Sequence, residues 1–157
     1  MNDKYIKNAL KIATEFALEV FNVPSVRTRR GCRVDGNKVW YNNEFFAFAI
    51  PDDITVSCKY FSPRCVNLNG FEQAKTTLTM TNTTIKDGKR TLHVMTAEGG
   101  TRAYVDAKFL KLFLYDQNFE YRTAFYKGKP GAIGVFDSDR LIGIVMPAVY
   151  REGEPNA

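Results

Sequence analysis

The chain has 157 residues, 45% of them apolar and 25% charged, values that fit one globular domain and exclude a disordered or fibrous chain. Its 22 Lys and Arg against 17 Asp and Glu give a formal charge of +5, which permits a polyanionic partner without requiring one. No apolar run reaches the ~18 residues of a membrane span. One His and three Cys with no CxxC pair leave the usual zinc sites without ligands, and no phosphate-cradling glycine loop or nucleophile elbow is present. The expectation is a non-enzymatic, cytoplasmic protein with reduced thiols, without cofactor, metal or membrane partner, and its charged N-terminal segment does not resemble a secretory signal.

Ile6, Ala9, Leu10, Ala13, Phe16, Ala17 and Val20 recur at helical spacing behind Asp3, a suitable N-cap, and the pattern stops before Asn22 and Pro24. The opposite side of this predicted helix carries Lys4, Lys7 and Lys11, a cationic row that is either a solvated face or a contact for phosphates. From Val26 the period changes to two, which puts Arg27, Arg29 and Arg33 on one side of a strand. A turn at Asp35-Gly36-Asn37 leads into Lys38–Tyr41, and Asn42-Asn43 predicts a tight hairpin to Phe45–Ile50, ended by Pro51. Ile54–Tyr60 and Thr76–Thr84 have strand composition, Asp87-Gly88 predicts a hairpin into Arg90–Thr96, and Glu98-Gly99-Gly100 breaks the run. Asp106 then caps a second predicted helix, Ala107–Tyr115, with Leu110, Phe113 and Leu114 inward and Lys108 and Lys111 outward. Strands follow at Phe119–Lys127, Ile133–Phe136 and Leu141–Val149, separated by turns at Lys129-Pro130-Gly131 and Ser138-Asp139. The tail, Arg151–Ala157, is polar.

Two segments resemble each other. Val39–Pro51 (VWYNNEFFAFAIP) and Val135–Pro147 (VFDSDRLIGIVMP) align without a gap, both opening on Val-aromatic, turning at the same offset and closing on proline. Upstream, Lys4-Tyr5-Ile6-Lys7 matches Lys108-Phe109-Leu110-Lys111. The expectation is one α+β domain over residues 1–150, built from two pseudo-repeated halves at about 1–60 and 90–150, with a polar tail at 151–157. Its two helices would lie side by side on one face, so that Lys4, Lys7, Lys11, Lys108 and Lys111 form one cationic surface.

Helix-plus-antiparallel-strand repeats that end in IVMP resemble the bacterial DNA polymerase sliding clamp, a likeness carried best by YVDAKFLKLFL and KPGAIGVFDSDRLIGIVMPAVY between Tyr104 and Tyr150. The resemblance implies a DNA-clamp-like domain whose helices face duplex DNA and touch phosphates nonspecifically, so that the protein slides. It also implies a DNA polymerase or other replication protein docked by a short apolar peptide, for which only Ile144 and Met146 can be placed. The departures are plain: one domain where clamps carry two or three, so that six copies would close a ring as a homo-oligomer, three residues before Lys4 where clamps have a strand, and a tail past the last strand. A single-domain form suits a phage or mobile element.

Other residues carry less. Arg27, Arg29 and Arg33 form a ladder that grips phosphates or RNA, or else protects a sheet edge. His93 reads as a strand residue, Asp137 and Asp139 as turn chemistry, and Tyr60, Phe61, Tyr121 and Tyr126 as core or base-stacking side chains. The alternative function is a non-enzymatic protein-binding module, such as a phage inhibitor of a host replication or defence protein.

Overall fold

Thr, Val and aromatic residues in period-two runs, punctuated by two-residue turns, carry most of the chain into antiparallel strands. The structure is a computed structural model and describes residues 3–9, 11, 30–34, 38–42, 46–50, 71, 74–114 and 118–152. Among these, helix α1 covers residues 3–9. The strands β1 (Arg30–Val34), β2 (Lys38–Asn42) and β3 (Phe46–Ala49) form a meander. A second meander of β4 (Thr76–Asp87), β5 (Arg90–Ala97) and β6 (Arg102–Asp106) leads into α2 (Ala107–Leu110). Then come β7 (Glu120–Thr123), the small hairpin β8 (Phe125–Tyr126) and β9 (Lys129–Pro130), and the final hairpin β10 (Ile133–Asp137) and β11 (Arg140–Val145).

Nine strands make one antiparallel sheet in the order β1-β2-β3-β11-β10-β7-β4-β5-β6. The sheet cannot be flat. Beyond β11 the chain reaches the outer edge of β6 by Ala148, whose N–H donates to the Tyr104 carbonyl at 2.7 Å. Three residues span at most ~10 Å, while five strand spacings in a flat sheet span ~24 Å. The β11-to-β6 portion therefore curls on itself. Its inner face holds the main core, which draws on β3, β4, β5, β6, β7, β10, β11 and both helices. A smaller cluster of Trp40, Ala47, Ala49 and Ile144 lies on the other face of β2, β3 and β11.

The α+β, clamp-like arrangement of two matching helix-plus-strand halves is overturned. The fold is mostly antiparallel β-sheet with two short helices among the described residues. The second predicted helix, Ala107–Tyr115, stops at Leu110, and the buried Leu112 and Phe113 lie in the turn beyond it. Instead the N–H groups of Phe113 and Leu114 both donate to the Leu110 carbonyl, tightening the chain into a turn. The halves also differ in content, since β4–β6 have no counterpart among the described residues of the first half.

The aligned segments nonetheless meet. Their sequence correspondence puts Ala47 on Gly143 and Phe48 on Ile144, and β3 pairs with β11 through Phe48 opposite Gly143 and Ala47 opposite Ile144, so the pairing maps onto itself. The hairpins themselves differ. Asp137 pairs with Arg140 around Ser138-Asp139, both at positive φ as a tight turn of this kind requires. Asn42 pairs with Ala47, so the first connection is longer than the predicted Asn42-Asn43 turn. The turn predicted at Lys129-Pro130-Gly131 also moves, to Lys127-Gly128, where Tyr126 pairs with Lys129. The strand predicted at Ile54–Tyr60 lies outside the described residues.

Gly143 is where the turn after α2 meets the sheet. A Cβ there would overlap the ring of Phe113, which is fully buried, and would stand 3.3 Å from the Ala47 carbonyl. Gly143→Ala is expected to lower stability by about 1–3 kcal/mol, as overpacking does, with the loss read from the urea midpoint.

Candidate polyanion-binding surface

Helix α1 buries Tyr5 and Ala9 and leaves Lys4, Lys7 and Lys11 exposed, as the four-residue spacing of its apolar positions dictates. Helix α2 starts at Asp106, whose carboxylate accepts a hydrogen bond from the Lys108 backbone N–H at 3.0 Å. It buries Leu110 and leaves Lys108 and Lys111 exposed. The Lys108 ammonium lies 5.3 Å from the Phe109 ring centre, so its stem runs along that ring while the charge stays in water.

The two helices seat in the same core cluster. The Tyr5 ring is 6.3 Å from that of Phe113 and meets Phe119 edge-on at 5.3 Å. Phe109 lies 6.1 Å from Phe46 of β3, which fixes α2 over the inner face. Five exposed lysines thus stand on two segments whose apolar residues share one core cluster.

Arg140 is a further cation that the sequence pattern offered no reason to choose. It is exposed after the Ser138-Asp139 turn, and with Asp137 it is near enough to act electrostatically on the Tyr5 hydroxyl. Only the fold places that turn beside α1. Burial, and secondarily Asp137, pushes the Tyr5 hydroxyl far above its ordinary pKa, with Arg140 opposing.

The Tyr5 hydroxyl has no hydrogen-bond partner among the described residues. Tyr5→Phe is therefore expected to stabilise the fold by about 1 kcal/mol, because it removes a desolvated polar group without changing the ring. A group whose folded pKa is raised contributes in full below its unfolded value and loses that contribution as pH rises through the folded one. The wild type should therefore lose stability above about pH 10, where the unfolded chain ionises first. Tyr5→Phe should lose less over the same range, and urea midpoints at neutral and alkaline pH check both statements.

The other predicted site residues fare differently. Arg27 and Arg29 lie outside the described residues, and Arg33 is on β1 opposite Val39, with its side chain outside them as well. Ile144 is 5% exposed and packs with Trp40, Ala47 and Ala49, so it is core and offers nothing to a docking peptide. Met146 is 44% exposed. Asp139 pairs with Arg122 at 2.5 Å, and Arg122 also bonds Glu120 at 2.5 Å while lying 4.5 Å from the Phe136 ring centre. This is cross-strand structure, and Arg122 holds the Glu120 carboxyl below its usual range. No group of three His, Cys, Asp or Glu that could hold a metal ion exists among the described residues.

A shallow groove of about 480 Å³ runs beside the turn after α2, lined by Leu78, Met80, Leu114, Phe119 and Tyr121 with polar Thr79, Asn82 and Glu120. Leu114 is 41% exposed there.

The chain matches no protein-family model, no curated protein and no solved structure. Among the described residues no helix is long and apolar enough to cross a membrane, a statement that concerns helices alone.

Proposed function

We propose that this chain is a non-enzymatic, cytoplasmic protein that holds duplex DNA nonspecifically through the phosphates. The observation that carries this reading is the exposure of Lys4, Lys7 and Lys11 on α1 and of Lys108 and Lys111 on α2 and its C-cap, with Tyr5 of α1 packed near Phe113 of the turn after α2. Lysine suits such a surface, because a mobile point charge follows the backbone without bidentate geometry and so reads no sequence. Cytoplasmic placement rests on three cysteines with no framework spacing.

A salt titration tests it. Five phosphate contacts, each releasing condensed counterions, give a slope of about −4 to −5 in log affinity against log salt. A slope near zero, or no duplex binding at low salt, refutes the reading.

A second reading, a protein-binding module that takes a replication protein or another partner without DNA, is favoured by the groove beside α2 and by exposed Leu114 on its wall. Under it Leu114→Asp abolishes partner capture while the lysines are dispensable. The two readings are compatible in one molecule, as DNA retention with a tethered partner.

A further inference from the structure

The hairpin β8–β9 pairs separately from the nine-stranded sheet, with β9 close to β6. Tyr126 is 74% exposed, the most exposed aromatic among the large hydrophobics of the described surface. It is followed by Lys127, Gly128 and Lys129, all exposed. From Tyr121 to Phe136 the sequence contains no acidic residue at all.

The hairpin is not loose. Phe125 packs against the main core, the Gly131 N–H donates to the Ala124 carbonyl at 2.9 Å, and the Thr123 hydroxyl reaches the Gly131 and Ala132 carbonyls at 3.1 Å each. Lys127 takes φ of +50° and Gly128 of +74°. Two positive φ values are the signature of the turn that suits a two-residue hairpin, and its first position ordinarily falls to Asn, Asp or Gly. Lysine at that first position is less common than these, and here it sets a cation at the tip beside Tyr126.

From this arrangement we infer that the Tyr126–Lys129 tip is a binding site for single-stranded nucleic acid, with an unpaired base stacked on Tyr126 and its flanking phosphates on Lys127 and Lys129. The Lys127 ammonium is 5.3 Å from the centre of the Tyr126 ring, which steadies the ring by a cation–π contact and leaves its opposite face for a base. The rigid base of the hairpin means that little ordering is required on binding. The site is separate from the helical lysines, because the hairpin joins β7 to the start of β10, whereas α1 sits near Asp137 and Arg140 at the other end of that strand. It does not rest on the duplex reading.

The test uses the full chain and a short oligothymidylate, followed by fluorescence anisotropy. Tyr126→Ala is expected to weaken single-strand binding about tenfold, the loss of one base stack, and to leave duplex binding unchanged. Tyr126→Trp is expected to retain binding, with the emission of the new indole quenched by the oligonucleotide. Lys7→Glu with Lys111→Glu should leave that quenching intact, so failure of the helical surface and failure of the tip are read separately. Single-strand affinity unaltered by Tyr126→Ala overturns the inference. So does indole emission that ignores the oligonucleotide and shifts to the blue with anionic phosphatidylserine vesicles, which makes the tip a membrane contact.

Discussion

Phe113→Ala is expected to destabilise the protein by about 3–5 kcal/mol, the range for emptying a buried aromatic site. The ring is fully buried, lies 6.3 Å from Tyr5 and 6.5 Å from Phe119, and fills the space that Gly143 leaves open on β11. Neighbours cannot relax into the gap easily. Tyr5 belongs to a helix and Phe119 to the residue just before β7, and both are themselves buried. The loss should therefore fall near the upper part of that range, and urea denaturation followed by far-UV circular dichroism measures it. A loss under about 1 kcal/mol would mean that the turn after α2 is not seated on β11. Because Phe113 also joins the two helices, the variant should weaken duplex binding in proportion to the fraction unfolded, with no change of salt slope for the molecules that remain folded.

Charge reversal at Lys7 and Lys111 has the opposite profile. Both residues are exposed and neither contributes to the core, so Lys7→Glu with Lys111→Glu should leave the urea midpoint within about 0.5 kcal/mol of wild type. Duplex affinity at low salt should fall at least about tenfold, because two phosphate contacts disappear and two repulsions replace them. The salt slope should become shallower by about 2, since each lost contact removes about 0.9. Unchanged affinity would make these lysines ordinary solvated residues, and the protein-binding reading through the groove at Leu114 would stand alone.

Several local features were legible in the amino-acid order alone. Asp106 does cap a helix, as a short carboxylate ahead of an apolar run should, and Ser138-Asp139 does turn a two-residue hairpin. Asp87 and Arg90 close the β4–β5 hairpin and form an ion pair across it. The exposure of the five lysines followed from spacing alone. Tyr126 was legible only as an aromatic that could stack or pack, because period and composition do not say whether a strand end projects from the sheet. The sheet edge at β6 was equally hidden, since its partner Ala148 is distant in sequence and contributes a single backbone hydrogen bond.

The clamp-like, two-half expectation failed for a definite reason. A Lys-aromatic-aliphatic-Lys segment starts a helix in both places, but helix length is set by the residues downstream of that start. After Leu110 the N–H groups of Phe113 and Leu114 share the Leu110 carbonyl, and the chain turns so that Phe113 packs against Tyr5 and Phe119 of the core instead of extending the helix. The similar segments Val39–Pro51 and Val135–Pro147 do supply strands that pair with each other, which their resemblance did not foretell, and it carried no information on how the intervening residues would be used.

What the chain settles by local chemistry is where several of its turns fall, which side of most elements is apolar and where its cations are exposed. Backbone geometry and side-chain period act over a few residues, so these follow from nearest neighbours. Which strands lie together, that the sheet curls until Ala148 beyond β11 reaches β6, that Tyr5 meets Phe113, and that Tyr126 stays exposed at a braced hairpin were decided by packing between distant segments. There the outcome depends on complementary volumes, as where the ring of Phe113 occupies the space that Gly143 lacks a side chain to fill.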